Sequence, residues 1–318
     1  MGRRPLKDIC EVKYGIKTGA NNFFYLLDET DKAALKNIKT KKFWTDYGRY
    51  LSTLDDEHYI IERKYLKPIL KSQRAVKGLI IERDSLKSSV LNVTDNRSVI
   101  KKSKSDIYRY IQRAEGPQYK INKRPTCAAR KSTNGNLDWF NLGREIITGD
   151  FIIPSKIGER FRLLDNRKAK VYCDKVNYKI IIKPEFKKYS DILFALLNST
   201  LFRHFIDLFS RQLTGSQTLS DVDVNVIQNT LIPHPELLLN KEEELQKIMQ
   251  SMSQREQKSI FEEIEMDDRR QLDQIIIETL GFSKQQTVQL QKNAVKLVQD
   301  RKDKSESVKT IKHPIKSI

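Results

Sequence analysis

Residues 190–212 read SDILFALLNSTLFRHFIDLFSRQ and are apolar on most faces of a helix. A helix that is apolar all round is a buried one, and Ser190 or Asp191 can cap its N-terminus. Before it, residues 146–183 alternate β-prone runs such as FIIPSKI and YKIIIK with Gly, Asn and Pro, which is typical of short strands. We therefore expect an α+β fold, with a mixed, β-rich domain that contains a buried long helix.

Upstream of this region the pattern stays mixed. Residues 8–30 indicate a strand, a turn-rich loop and a second strand, and residues 31–43 indicate a short basic helix. GLIIERDS (78–85) has the composition of a short buried strand. The basic, amphipathic stretch from Lys101 to Arg113 predicts a helix.

From Glu236 onward the chain has a helical pattern. Gly281 is a natural C-terminal cap, and Ser283 with Gln286 forms a capping box for a helix that runs to about residue 302. The polar residues after it predict disorder. The sequence thus predicts an α+β domain over 1–235, a helical tail for packing or protein contact over 236–302, and a disordered end over 303–318.

The charge distribution supports this division. The chain has 318 residues with 59 Lys and Arg against 41 Asp and Glu, a net charge of +18. Residues 1–235 hold 44 basic and 26 acidic residues, whereas residues 236–318 hold 15 of each. The strongly basic residues 1–235 indicate a polyanionic partner. Because residues 236–318 have no net charge, their deletion should leave most DNA affinity intact. The alternative is a Lys-rich genome that makes every surface basic.

Several classes of protein are disfavoured. No apolar run approaches the roughly 18 residues of a membrane span, and the N-terminus has no apolar core of a signal peptide. Three scattered cysteines (Cys10, Cys127 and Cys173) suit a reducing, cytoplasmic location and match no zinc-site spacing.

Catalytic motifs are also lacking. The sequence has no G-x-G and no adjacent prolines, so neither the usual cofactor fingerprint nor the Asn/Asp-Pro-Pro-aromatic motif of amino-methyltransferases occurs. Three Glu-x-Lys triplets, at 11–13, 62–64 and 185–187, match a nuclease pattern, but such triplets arise by chance in a chain rich in Glu and Lys.

Binding signals are stronger. Residues 120–144 interleave six basic residues with Trp139 and Phe140. The Lys and Arg side chains can neutralise phosphates, and Trp139 can either stack on an unpaired base or anchor the core, which we favour. The loop from Arg211 to Thr218 offers polar donors and acceptors, either for base reading or as a plain solvated connector.

These motifs together resemble a known family. GIKTGANNFFYL (15–26) is similar to the start of the C-terminal target recognition domain of TaqI-like adenine-specific DNA methyltransferases. YLKPILKS (65–72), WFNL (139–142), FIIPSKI (151–157) and ILFALLNSTLFRHF (192–205) follow in the family's order. After them come LSDV (219–222) and IPHP (232–235), and the helical tail is similar to the end of larger restriction–modification enzymes. The resemblance covers about residues 10–300 and implies that the domain over 1–235 is a DNA target recognition domain.

The resemblance implies sequence-specific binding of duplex DNA, while a separate methyltransferase or restriction subunit flips and methylates the adenine with S-adenosylmethionine. That catalytic half is expected upstream of residue 1, so no catalytic, cofactor-binding or metal-binding residue is assigned to this chain. The predicted DNA-binding residues are Lys17, Thr18, Asn21, Asn22, Lys123, Arg124, Arg130, Lys131, Arg144, Arg211, Gln212, Ser216 and Gln217. Thr18, Asn21 and Asn22 can instead simply build a turn.

Other functions remain open from the sequence. The chain can be a split specificity subunit or the end of an interrupted gene, active as a methyltransferase only with its other half. A divergent nuclease and a nonspecific nucleic-acid-binding protein are the further alternatives.

Overall fold

The computed structural model describes residues 2–36, 38–40, 48–52, 57–102, 106–116, 120–121, 124–125, 138–143, 146–213 and 218–312. The chain forms two compact units. The first unit comprises Met1–Gly15, Ser72–Ile81 and Gly149–Ile318, and the second comprises Ile16–Lys71 and Glu82–Thr148. The fold is α+β, as predicted. Within the described ranges, no helix is long and apolar enough to cross a membrane.

The strands of the described residues are numbered in chain order. They are β1 (Arg3–Pro5), β2 (Cys10–Tyr14), β3 (Tyr25–Asp28), β4 (Gly48–Ser52), β5 (His58–Glu62), β6 (Leu66–Leu70), β7 (Ser88–Leu91), β8 (Lys120–Ile121), β9 (Arg124–Pro125), β10 (Phe151–Pro154), β11 (Lys156–Ile157), β12 (Leu164–Asp165), β13 (Tyr172–Cys173), β14 (Asn177–Ile182), β15 (Arg211–Gln212), β16 (Ser220–Asp221) and β17 (Leu231–Pro233).

The α-helices are numbered in the same way. They are α1 (Asn21–Phe24), α2 (Thr30–Leu35), α3 (Arg97–Lys101), α4 (Ile107–Glu115), α5 (Ser190–Asn198), α6 (Thr200–Leu208), α7 (Val224–Asn229), α8 (Glu242–Gln254), α9 (Ile260–Glu263), α10 (Asp267–Thr279) and α11 (Lys284–Lys312). Short 3-10 turns cover Leu6–Asp8, Arg63–Tyr65, Gln73–Ala75, Arg83–Ser85, Pro184–Tyr189 and Pro235–Lys241.

The first unit is built on an antiparallel sheet in the order β12-β10-β14-β2. Its central strands are apolar because both of their faces are covered, and Phe151, Ile153 and Ile180 are completely buried. A second small sheet has the order β11-β16-β15, and β1 pairs with β17.

The predicted long helix over 190–212 is two helices. Ser199, with extended backbone, lies between α5 and α6, and its Oγ accepts a hydrogen bond from the Phe202 N–H as an N-terminal cap. The prediction of burial is confirmed, since Ile192 and Leu196 on α5 and Ile206 on α6 are not exposed at all. The apolar pattern continues through the break, which is why periodicity alone does not reveal it.

The helical segment after residue 235 is not a separate module. Leu245 and Met252 of α8 and Leu272 of α10 belong to the same buried cluster as Leu6 and Ile180. A boundary at 235/236 therefore cuts through one core. The expectation that deletion of residues 236–318 leaves most DNA affinity intact stays a prediction.

The local signals in this segment are confirmed. Gly281 adopts φ +81°, and the Phe282 N–H reaches back to the Ile277 carbonyl, 3.2 Å away, to end α10. Ser283 and Gln286 make both capping-box hydrogen bonds at the start of α11. The predicted disorder is wrong for residues 303–312, which continue α11; residues 313–318 lie outside the described ranges.

In the second unit, strands pair antiparallel in the order β6-β7-β3-β4-β5. The helix α4 packs against β5. The helix predicted over 101–113 appears as α3 and α4, and the one predicted over 31–43 is limited to α2 among the described residues. GLIIERDS is not a strand: Leu79 and Ile81 are buried, but Ile80 makes only a single bridge, to Asp165.

Candidate nucleic-acid interface

Four of the predicted DNA-binding residues lie in the loop between β2 and α1 or in the first two positions of α1. At the start of the loop, a Cβ on Gly15 would lie 2.3 Å from the Asp174 carbonyl oxygen, so only glycine fits there. Gly19 adopts φ +69°, in the left-handed region that favours glycine. Both positions therefore favour glycine.

Thr18 forms the inside of this turn. Its side chain is buried, its Oγ1 accepts a hydrogen bond from the Ala20 N–H at 3.1 Å, and it donates a short hydrogen bond to Asn21 Oδ1. The geometry favours the turn-building interpretation for Thr18. Lys17, Asn21 and Asn22 are exposed, so their predicted contact with DNA is sterically open and stays a prediction.

Aromatic residues pack around Phe23, directly after the turn. Phe23 of α1 stacks on Tyr110 with ring centroids 4.8 Å apart, and Trp139 lies 4.6 Å from the Phe23 ring. The Tyr110 hydroxyl donates to the Phe23 carbonyl, and Trp139 Nε1 donates to Glu115. Trp139 is therefore a core anchor, as we favoured, and its buried ring offers no face to a base.

Six of the predicted residues lie outside the described ranges: Lys123, Arg130, Lys131, Arg144, Ser216 and Gln217. Arg124 lies in β9, whose backbone pairs with β8, with Ile121 opposite Arg124. Their roles stay predictions.

Arg211 and Gln212 form one strand of a short hairpin in the first unit. β15 pairs with β16 so that Arg211 faces Asp221 and Gln212 faces Ser220. Arg211 Nη2 lies 2.7 Å from Asp221 Oδ2, and the arginine side chain is 77% exposed. An exposed pair of this kind is weak, so the guanidinium can leave Asp221 for a phosphate or a guanine edge.

A buried ion pair lies beneath this hairpin. Asp207, near the end of α6, receives two hydrogen bonds from Arg301 of α11, at 2.7 and 2.9 Å. The same carboxylate accepts a hydrogen bond from Ser220 Oγ at 2.8 Å. Nearby Arg203 donates to the carbonyls of Gly158 and Glu159, and burial lowers the pKa of Arg203 to about 10. The sequence analysis did not identify this cluster of buried charges. The one sign of it in the sequence is that charged residues interrupt apolar stretches.

An apolar groove of about 870 Å³ opens on the first unit. Phe209, just before the hairpin, is 67% exposed, and Leu231 and Phe282 are also partly open to solvent. Arg3, which lies 5.8 Å from the Phe282 ring, is the charged residue in the lining. The groove is suited to apolar side chains.

Three other kinds of candidate residue concern metal binding, nuclease chemistry and thiol reactivity. Within the described part of the chain, no three His, Cys, Asp or Glu side chains gather to hold a metal ion. In the Glu-x-Lys triplets, Lys13 pairs with Glu11, Lys64 with Asp95 and Lys187 with Asp150. Burial raises the pKa values of Cys10 and Cys173 to about 12, which disfavours the reactive thiolate.

The predicted residues are divided between the two units. Lys17, Thr18, Asn21, Asn22 and Arg124 belong to the second unit, and Arg211 and Gln212 belong to the first. By sequence the first unit has 34 basic and 26 acidic residues and the second has 25 and 15. Both units are therefore basic, and the smaller second unit has the larger net charge, +10 against +8.

Comparison with known proteins gives a fold and no family. No family model and no curated protein matches the chain. Among solved structures, the chain is similar to the type IIG restriction endonuclease BpuSI, with a TM-score of 0.55 and 14% sequence identity. The match covers 95% of this chain and 31% of that chain, so this chain spans about a third of the length of BpuSI. At this identity the likeness concerns the fold.

Proposed function

We propose that this chain binds duplex DNA sequence-specifically, as the target recognition part of a restriction–modification adenine DNA methyltransferase. The observation that carries the proposal is the fold: nearly the whole chain matches about a third of BpuSI, a restriction endonuclease. A protein of that class has to recognise a DNA sequence, and the ordered motifs that resemble TaqI-like recognition domains point the same way.

The electrostatics support DNA as the partner. A net charge of +18 favours a polyanion, and Lys17 and Arg211 are exposed on loop and hairpin positions. Arg reads guanine, and Asn and Gln read adenine, through paired hydrogen bonds in the major groove. Asn21, Asn22 and Gln212 are exposed side chains of this kind.

The chemistry would then come from another polypeptide. We propose a methyltransferase or restriction subunit that supplies S-adenosylmethionine chemistry, because the sequence has none of the usual motifs for it. The apolar groove with the exposed Phe209 is suited to contact with such a partner.

Selection from a random pool of duplexes tests the proposal. The purified full chain should enrich one short motif at moderate salt, and its affinity should fall steeply as salt rises because counterions are released from the DNA. Arg211→Ala should reduce enrichment, whereas Lys296→Ala should not; Lys296 is a matched control because it is also exposed and paired to a carboxylate, Asp300.

The alternatives give different results. Equal affinity for unrelated duplexes with the same salt dependence would indicate a nonspecific nucleic-acid-binding protein. Adenine methylation that appears only when a methyltransferase subunit is added would indicate a split enzyme. Metal-dependent cleavage that disappears on Glu11→Gln would indicate a nuclease.

A further inference from the structure

The hairpin formed by β15 and β16 is tied to the rest of the first unit through one carboxylate. Asp207 lies four residues before Arg211 on the incoming side, and its Oδ1 accepts the Ser220 hydroxyl of the returning strand at 2.8 Å. Because β16 is the central strand of its sheet, Ser220 lies opposite Gln212 of β15 on one side and opposite Ile157 of β11 on the other. One side chain therefore fixes both strands of the hairpin.

Arg301 holds that carboxylate in place. Its two terminal nitrogens bind the two oxygens of Asp207, in a bidentate pair that fixes the plane of the carboxylate as well as its position. The side chains of Arg301 and Asp207 are only 3% and 2% exposed. Since water scarcely reaches the pair, its electrostatic strength is not screened.

The neighbouring strand is tied to the same cluster. Arg203, one helical turn before Asp207, donates to the carbonyls of Gly158 and Glu159 at 2.8 and 3.0 Å, directly after β11. On α11, Lys302 beside Arg301 pairs with Glu159 at 2.9 Å. Thus β16 and the residues directly after β11 connect to polar groups of α6 and α11, and β15 is held through its pairing with β16.

We propose that Arg301 is a positioning residue for DNA recognition: it acts through Asp207 and Ser220 to hold Arg211 and Gln212 in the geometry that reads the target. This inference rests on the proposed function. It gives α11 a role in specificity, although Arg301 lies ninety positions from Arg211 in sequence. A buried ion pair adds less stability than apolar residues of the same size would, whereas its directional hydrogen bonds fix a geometry.

Two variants break the link at different points. Ser220→Ala removes only the hydroxyl that joins the returning strand to Asp207, and the rest of the cluster stays intact. Arg301→Met removes the guanidinium, and Arg301→Lys restores the charge and one hydrogen bond. Ser251→Ala is the matched control, because Ser251 Oγ also donates to an aspartate, Asp268 at 3.1 Å, far along the chain from the hairpin.

Hydrogen exchange followed by mass spectrometry measures the hairpin directly, without DNA. In Ser220→Ala, amides of residues 211–213 and 218–221 should exchange about tenfold faster, whereas those of β10 and β14 should not change. Arg301→Met should have the same effect and Arg301→Lys should partly reverse it. Unchanged hairpin exchange in Ser220→Ala would overturn the proposal even if Arg301→Met fails to fold.

Competition binding then tests the link to recognition. The preference for the selected duplex over an unrelated one should fall about tenfold in Ser220→Ala, while affinity for unrelated DNA stays within about twofold because the charge is unchanged. Faster exchange with unaltered preference would overturn the role in recognition. If the wild-type chain prefers no duplex, the proposed function fails, and the exchange experiment alone decides whether Arg301 positions the hairpin.

Discussion

Two regions that the sequence assigns to the same task are held in opposite ways. In the turn from Lys17 to Asn22, the Thr18 side chain bonds to Ala20 and Asn21, two and three positions away. The hairpin at Arg211 depends on Arg301, which lies 94 positions from Asp207. A change in α11 should therefore alter the hairpin and leave the turn unchanged.

The strongest test of this difference is Arg301→Met. Loss of one partner leaves the Asp207 carboxylate buried without its counter-charge, and such losses cost about 3–5 kcal/mol in unfolding free energy. Urea denaturation monitored by circular dichroism measures it. Lys296→Met on the same helix breaks an exposed pair with Asp300 and should cost less than about 1 kcal/mol. Equal losses in the two variants would mean that the buried pair has no special role.

Thr18→Val is the corresponding change in the turn. Valine keeps the shape but leaves the buried Ala20 N–H without its acceptor, which costs up to about 3 kcal/mol. Exchange of the amides of residues 18–24 should accelerate, and the hairpin amides should not change. Acceleration in both regions would show that the two regions are coupled and would refute the contrast between them.

Local signals in the sequence predicted local structure well. Gly281, Ser283 and Gln286 mark helix ends because each acts on backbone groups within one turn. The break at Ser199 went unnoticed because the apolar pattern continues across it. The strand predicted at GLIIERDS was wrong because burial of Leu79 and Ile81 needs packing and not a strand ladder.

The candidate site was only partly within reach of the sequence. The exposed Lys17 and Arg211 can be proposed from residue type and turn composition alone. The pairing of Asp207 with Arg301 cannot, because nothing in the intervening residues specifies which of several charged side chains in apolar helices will meet. The even charge of residues 236–318 suggested a separate module, whereas the apolar side chains of α8 and α10 complete the core.

Arg211→Ala separates stability from recognition at the hairpin. The Arg211–Asp221 pair is exposed, so the unfolding free energy should change by less than about 1 kcal/mol. Affinity for the selected duplex should fall by about 1–2 kcal/mol, in the lower part of the range for a base contact, because the guanidinium first has to leave Asp221. Fluorescence anisotropy with a labelled duplex measures this loss. Unchanged affinity would remove Arg211 from the interface.

The smallest expected effect distinguishes the two regions by pH. Burial lowers the pKa of His204, which lies on α6 with Asp207, while the Asp207 carboxylate partly opposes the shift. Because the folded state binds this proton less readily than the unfolded state, the stability of the first unit should fall as pH decreases below the ordinary value of 6.5.

Hairpin amides should therefore exchange faster at pH 5.5 than at pH 7, after correction for the intrinsic effect of pH on exchange, and His204→Gln should abolish this difference. The turn at Thr18 should show no such change, because the bonds of Thr18 to Ala20 and Asn21 involve neutral groups. A pH effect that persists in His204→Gln would assign the titration to another group of the first unit. A pH effect on the turn as well would indicate that acid weakens the whole fold, and that the hairpin is no more dependent on α6 than the turn is.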